Sequence, residues 1–126
     1  FVADFTGAVV LTGTATAGEG ELTRVDLDGG GAVASVDHGR GRVAVSVHPW
    51  EIAIERGSPE EGSALNRLAV AVTTVTAVGN RTRVGLATPQ ALAAEVTTAS
   101  SDRLALAPGE RVVAVWKAAA TRLSPL

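Results

Sequence analysis

Apolar residues recur at every second position over short stretches of the chain, the period of a strand that turns one face to a core. Arg42–His48 sets Val43, Val45 and Val47 on one face, and Arg111–Lys117 is apolar on both faces at its middle. The same pattern predicts further strands over 8–16, 21–27, 32–37, 52–55, 68–78, 82–86, 92–97 and 121–124. Turn signals separate them: Ala17-Gly18-Glu19-Gly20, Asp28-Gly29-Gly30-Gly31, His38-Gly39-Arg40-Gly41 and Gly79-Asn80 all supply residues that tolerate positive φ. One segment, Ser101–Ala107, predicts a helix of at most two turns, stopped by Pro108-Gly109. Many short strands at this spacing indicate an all-β barrel or sandwich.

Arg56-Gly57-Ser58-Pro59-Glu60-Glu61-Gly62 is polar and rich in breakers, and reads as a linker between residues 1–56 and 63–126. The two halves correspond. Arg42–His48 followed by Ile52-Ala53-Ile54 aligns without gaps on Arg111–Lys117 followed by Thr121-Arg122-Leu123. Upstream, Val25–Asp28 and Ala34–Val36 match Val84–Ala87 and Ala94–Val96 at a smaller offset, because the second half carries the extra helical turn. Any two Val-rich strands align to some degree, but the order of the matching segments favours a duplication, hence two related sub-barrels.

Composition narrows the chemistry. The hydrophobic fraction of 46% is enough to fill a core in a chain of 126 residues. There is no cysteine, so no disulfide framework and no thiolate metal site. The two histidines, His38 and His48, fall short of any metal-ligand spacing, and both read as solvent-facing or structural. Asp26/Asp28 and Glu60/Glu61 read as solvated surface. No Gly-x-Ser-x-Gly elbow occurs, and Gly29-Gly30-Gly31 lacks the Gly-Lys-Ser/Thr that a phosphate loop needs. The chain is therefore expected to be no enzyme and to hold no cofactor or metal. A net charge of −2 and the absence of tyrosine argue against nucleic acid. No apolar run approaches the roughly 20 residues that span a bilayer. A secretory leader is not visible, and the start at Phe1 without Met suggests a piece of a longer chain.

The remaining chemistry is oxyanion binding. Thr97 and Ser100 bracket the expected helix start, where backbone N–H groups and hydroxyls attract anions; Ser63 adds a hydroxyl and Lys117 ends a strand with a point charge. On residues alone the plainer alternative, ordinary helix caps and an ordinary edge charge, is favoured.

The second half resembles the Mop/TOBE family, the small oxyanion-binding barrels appended to molybdate, tungstate and related ABC ATPases. The matching residues are Ser63–Leu68, Val75…Val78–Val84, Leu92–Ser100, Leu104–Gly109 and Val112–Ala118. The family pattern is Ser-Ala-Arg-Asn, then Val-Thr-x-x-Ser, then Leu-x-Leu-x-x-Gly, then a strand ending Lys-Ala-Ser. Phe1–Gly7 resembles the connector from the ATPase domain, and Val43–Val47 with Pro49–Ile52 resembles the strand before the final barrel.

The resemblance implies OB-like small β-barrels, with the helix in the second. It implies a regulatory domain of an ABC importer ATPase, at the cytoplasmic face of the membrane, with ATP and Mg bound by a parent domain. The implied partners are a second copy of the chain, an oxyanion and, through the ATPase, permease subunits. The implied anion ligands are Ser63, Thr97, Ser100 and Lys117. Leu65 stands where the family has Arg, and Ala119 where it has the last Ser. Arg67, two residues on from Leu65 and on the same strand face, is the expected substitute. The departures keep a second reading open, a dimerisation module without ligand. A free-standing oxyanion-storage protein is a third.

Overall fold

The computed structural model describes residues 8–57 and 65–126. Phe1–Gly7, the linker from Ser58 to Gly62, and Ser63 lie outside the described residues. Each predicted strand is present. β1 (Val9–Ala17), β2 (Thr23–Leu27), β3 (Ala32–Ser35), β4 (Gly41–Val47) and β5 (Ala53–Glu55) precede the linker. β6 (Leu65–Val78), β7 (Arg81–Thr88), β8 (Gln90–Thr97), β9 (Arg111–Lys117) and β10 (Arg122–Pro125) follow it. The one α-helix among the described residues, α1, spans Thr98–Leu104, three residues earlier than expected.

The strands form two five-stranded antiparallel sheets, in the orders β10-β4-β1-β2-β3 and β5-β9-β6-β7-β8. The expected division into 1–56 and 63–126 therefore does not follow the sheets. After β4 a 3-10 turn over Pro49–Glu51 carries β5 across to the second sheet. After β9 a matching turn over Ala118–Ala120 carries β10 back to the first. The exchange is symmetric in register: Ala53 opposes Val115 and Ile54 opposes Ala114, just as Arg122 opposes Ser46 and Leu123 opposes Val45. This is structural evidence for the internal duplication, and it interlocks the halves.

Alternation decides what each strand buries. Val9, Leu11 and Ala15 point inward from β1; Val43, Val45 and Val47 from β4; Leu68, Val70 and Val72 from β6; Val112, Ala114 and Trp116 from β9. They belong to one continuous apolar cluster shared by both sheets. Each such Val or Leu contributes roughly 1.5–3 kcal/mol relative to exposure. The first sheet curls until its outer strands meet: Ser35 Oγ donates to Thr121 O at 2.6 Å, and Leu123 N donates to Asp37 Oδ2 at 3.0 Å. On its outer surface Asp28 pairs with both terminal nitrogens of Arg42, at 2.7 and 2.6 Å. The hydrogen bonds from Arg42, and then from Thr12, hold the Asp28 carboxyl well below the usual carboxylate range.

Two side-chain amides staple the sheets together. β2 ends at Leu27 opposite Gly13; past that rung Asp28 N still donates to Thr12 O at 3.0 Å, but no β2 acceptor meets Thr12 N. Gln90 of the second sheet fills that place: Oε1 accepts from Thr12 N at 2.9 Å, and Nε2 donates to Thr12 O and Asp28 O at 3.0 Å each. Asn66 does the same to the outer edge of β3. Its Oδ1 accepts from Ala34 N at 2.7 Å, and its Nδ2 donates to Ala34 O at 3.0 Å and Thr121 Oγ1 at 3.2 Å.

The coiling of β1 leaves no room for a side chain at Gly13. A Cβ there would lie 2.5 Å from Asp26 O and 2.7 Å from Val25 Cγ1. Gly85 is similarly closed, by the Thr73 and Thr74 hydroxyls at the β6 bulge. Gly13→Ala is expected to lose about 1–3 kcal/mol through overpacking against a backbone that cannot yield. Urea denaturation checks this; an unchanged midpoint would show that β1 is free to shift.

Candidate functional site

The residues expected to bind an oxyanion fall into separate groups. Thr97 is the N-cap of α1, with extended backbone. Its Oγ1 accepts from Ser100 N at 3.1 Å, and it lies 3.0 Å from Ser100 Oγ, which Arg103 Nη2 approaches to 3.4 Å. The hydroxyl cap, available only if the helix starts at Thr98, accounts for the earlier start. At the other end Ala105 takes a left-handed conformation, φ 51°, and closes the helix. Thr97 and Ser100 thus form one exposed hydroxyl pair, engaged mainly in capping.

Lys117 sits elsewhere. It opposes Leu65, the first residue of β6, whereas Thr97 opposes Arg81, which opposes Val78 at the last residue of β6. Neither Thr97 nor Ser100 lines the cleft that holds Lys117. Arg67 is not in that cleft either: its Nη1 pairs with Glu55 Oε1 at 2.6 Å, so its charge is already matched on the β5–β6 face. Ser63 lies outside the described residues.

The Lys117 cleft is a feature that sequence reasoning missed. It measures about 500 Å³ and opens where the exchanged strands cross. Its polar lining is Ser46, His48, Glu51, Lys117, Arg122 and Ser124. Arg122 lies directly opposite Ser46 in the β4–β10 pairing, and Ser124 is two residues along the same strand, hence on the same face. His48 follows β4 and stacks on Trp50, ring centroids 4.4 Å apart and planes 6° from parallel. Trp50 is 55% exposed, an unusual place for so large a ring. Lys117 makes no ion pair among the described residues, and Arg122 reaches Asp37 only at 3.6 Å.

The turn that carries Lys117 is anchored from beneath. Trp116, 1% exposed, donates Nε1–H to Thr121 Oγ1 at 3.0 Å, and Thr121 Oγ1 donates to Lys117 O at 2.9 Å. The Asn66 amide donates to the same hydroxyl. The Asn66 staple and the Lys117 turn thus share one buried hydrogen-bond centre.

Comparison with known proteins places this arrangement. Residues 62–123 match the model of the TOBE domain. This part of the chain is a TOBE domain. The molybdenum import ATP-binding protein ModC of Bordetella parapertussis is 36% identical to the chain over 120 residues, 88% of the chain and 32% of ModC. ModC of Bordetella bronchiseptica matches equally. The chain spans about a third of the length of these relatives. Among solved structures, the molybdate-bound form of the cytoplasmic molybdate-binding protein ModG superposes with a TM-score of 0.78 at 26% identity, covering 93% of this chain and 95% of that one.

The ModG match runs through both sheets, not only through the TOBE segment. It establishes the OB-like, two-sheet architecture for the chain as a whole. The TOBE segment contains Asn66, Thr97, Ser100 and Lys117; it also contains Arg122, which belongs to the first sheet by pairing. A TOBE domain is a regulatory unit, not a catalytic one. Among the described residues there is no group of three or more His, Asp or Glu that could hold a metal ion, and no helix long and apolar enough to cross a membrane.

Proposed function

We propose that the chain is the regulatory domain of an ABC importer ATPase that handles a tetrahedral oxyanion such as molybdate. In this reading it pairs with a second copy of itself and binds the anion between copies. The ATPase domain of the parent chain binds ATP and Mg, and the assembly sits at the cytoplasmic face of the membrane against permease subunits.

The observation that carries the reading is Lys117, an exposed ammonium without an ion-pair partner among the described residues, lining a cleft with Ser46, His48, Arg122 and Ser124. The similarity to ModC and ModG supports the ligand class. Within one chain the Thr97–Ser100 hydroxyl pair and Lys117 stand at opposite ends of the β6 register. A shared site therefore calls for Thr97 and Ser100 of one copy to meet Lys117 of another, which couples anion binding to subunit pairing. Anion binding then shifts the transporter between states by its differential affinity for them.

Calorimetry of the chain with molybdate, tungstate and sulfate tests the ligand, and light scattering tests the pairing. Molybdate heat, at least tenfold weaker binding in Lys117→Ala, and a dimeric mass are expected. A monomer at every concentration would remove the pairing.

One observation favours a second reading, a pairing module without ligand. Leu65 and Ala119 lack the guanidinium and hydroxyl that a dianion uses, and Arg67 is matched by Glu55. In that case molybdate produces no heat, and Lys117→Ala pairs as the parent chain does.

A further inference from the structure

We propose that the anion site of this chain is completed from the first sheet, with Arg122 supplying the second cation beside Lys117 and Ser46, Ser124 and His48 supplying donors. The inference rests on the reading above and names further binding residues for that site.

A bare dianion loses its hydration only where charge and donors replace it, and one ammonium leaves half of its charge unmatched. Leu65 offers nothing, and Arg67 is held by Glu55 at 2.6 Å outside the Lys117 cleft. The strand exchange brings another guanidinium to the place. β10 leaves the Lys117 turn after three residues and pairs with β4, which sets Arg122 across from Ser46 with Ser124 on the same face. Both hydroxyls line the same cleft as Lys117. They compensate for the hydroxyl missing at Ala119, which also lines it.

Arg122 is available for this. Its contact with Asp37 is long, 3.6 Å, and its side chain is largely exposed. Such surface pairs contribute little and yield to a better acceptor. Glu51 is the one acid lining the cleft, against Lys117 and Arg122. The surplus of positive charge suits a dianion. The cleft of about 500 Å³ exceeds a single oxyanion, so the ion keeps part of its water shell, and those waters bridge to Ser46 and Ser124.

The test is calorimetric titration of the full chain with sodium molybdate, comparing Arg122→Ala, Arg122→Gln, Lys117→Ala and Arg83→Ala. Arg83 is exposed on β7 and does not line the cleft, so it reports the general effect of one lost charge. Arg122→Ala and Arg122→Gln are expected to bind at least tenfold more weakly, and Arg83→Ala within about twofold of the parent chain. Thermal melts show that each variant is folded. If Lys117→Ala loses binding while both Arg122 variants behave like Arg83→Ala, this inference is overturned and the regulatory reading stands. If the parent chain binds no molybdate, both fall together.

Discussion

Asn66→Leu is expected to destabilise the chain by about 3–5 kcal/mol, although it exchanges a polar side chain for an apolar one of similar size inside a core. Asn66 is 5% exposed, and its amide meets both Ala34 N and Ala34 O. Leucine would leave that half-buried N–H and that C=O without their partners, at about 1–3 kcal/mol for each orphaned group. It would also remove one donor from Thr121 Oγ1. Leucine is the informative replacement because it excludes the water that would enter a smaller side chain's cavity.

Urea denaturation of both proteins measures the loss as a shift in midpoint at constant slope. Asn66→Asp separates the terms: the oxygen at Ala34 N is kept, while the donor to Ala34 O is lost and a charge is buried. A leucine variant as stable as the parent would mean that the second sheet does not need this amide to hold the first. Gln90 makes the same two-point contact with Thr12. Its double variant with Asn66→Leu is expected to be less stable than either single change, because each amide keeps the other's sheet edge in place.

The strands were legible because valine at period two leaves little ambiguity. Val43, Val45 and Val47 point inward as their spacing implies, and the doubly apolar Val112–Trp116 stretch is buried on both faces. The strand exchange was not legible. β5 has three residues and β10 four, too few for any pattern to say which sheet receives them. The helix begins three residues before the segment that predicts it because the Thr97 hydroxyl caps it by accepting from Ser100 N, and it closes at the left-handed Ala105 where glycine would be expected.

The site was legible in part. Lys117 and the Thr97–Ser100 pair were visible as residue types, but their separation depends on β6 register. The staples left a signal that went unused. Asn66 is in phase with the buried Leu68, Val70 and Val72, and Gln90, itself half-buried, with the buried Leu92 and Ala94. An amide at an inward position of an apolar strand needs a partner, and the nearest unpaired backbone is that of the facing sheet. Ser46 gave no such sign, being out of phase with the core positions Val43, Val45 and Val47 of β4. Arg122 gave none, since its place across from Ser46 follows from the exchange.

Trp116→Ala is the second large effect, about 3–5 kcal/mol from lost packing and the cavity left behind. Trp116 is the largest fully buried side chain of the chain's described residues. Its indole also holds Thr121, and through Thr121 the carbonyl of Lys117. Trp116→Phe separates these roles. Phenylalanine keeps most of the packing but cannot donate to Thr121 Oγ1, and is expected to lose about 1–2 kcal/mol.

Fluorescence follows both changes, because the chain has two tryptophans in opposite surroundings: Trp116 is enclosed, and Trp50 is exposed beside His48. Native emission is expected to hold a blue component that disappears in either variant, leaving the solvent-exposed emission of Trp50. If Trp116→Phe melts with the parent and binds molybdate as it does, the indole hydrogen bond does not position the Lys117 turn, and packing alone holds it. If it melts close to the parent but binds at least fivefold more weakly, the buried centre at Thr121 links the rigidity of the sheet exchange to the aim of the lysine.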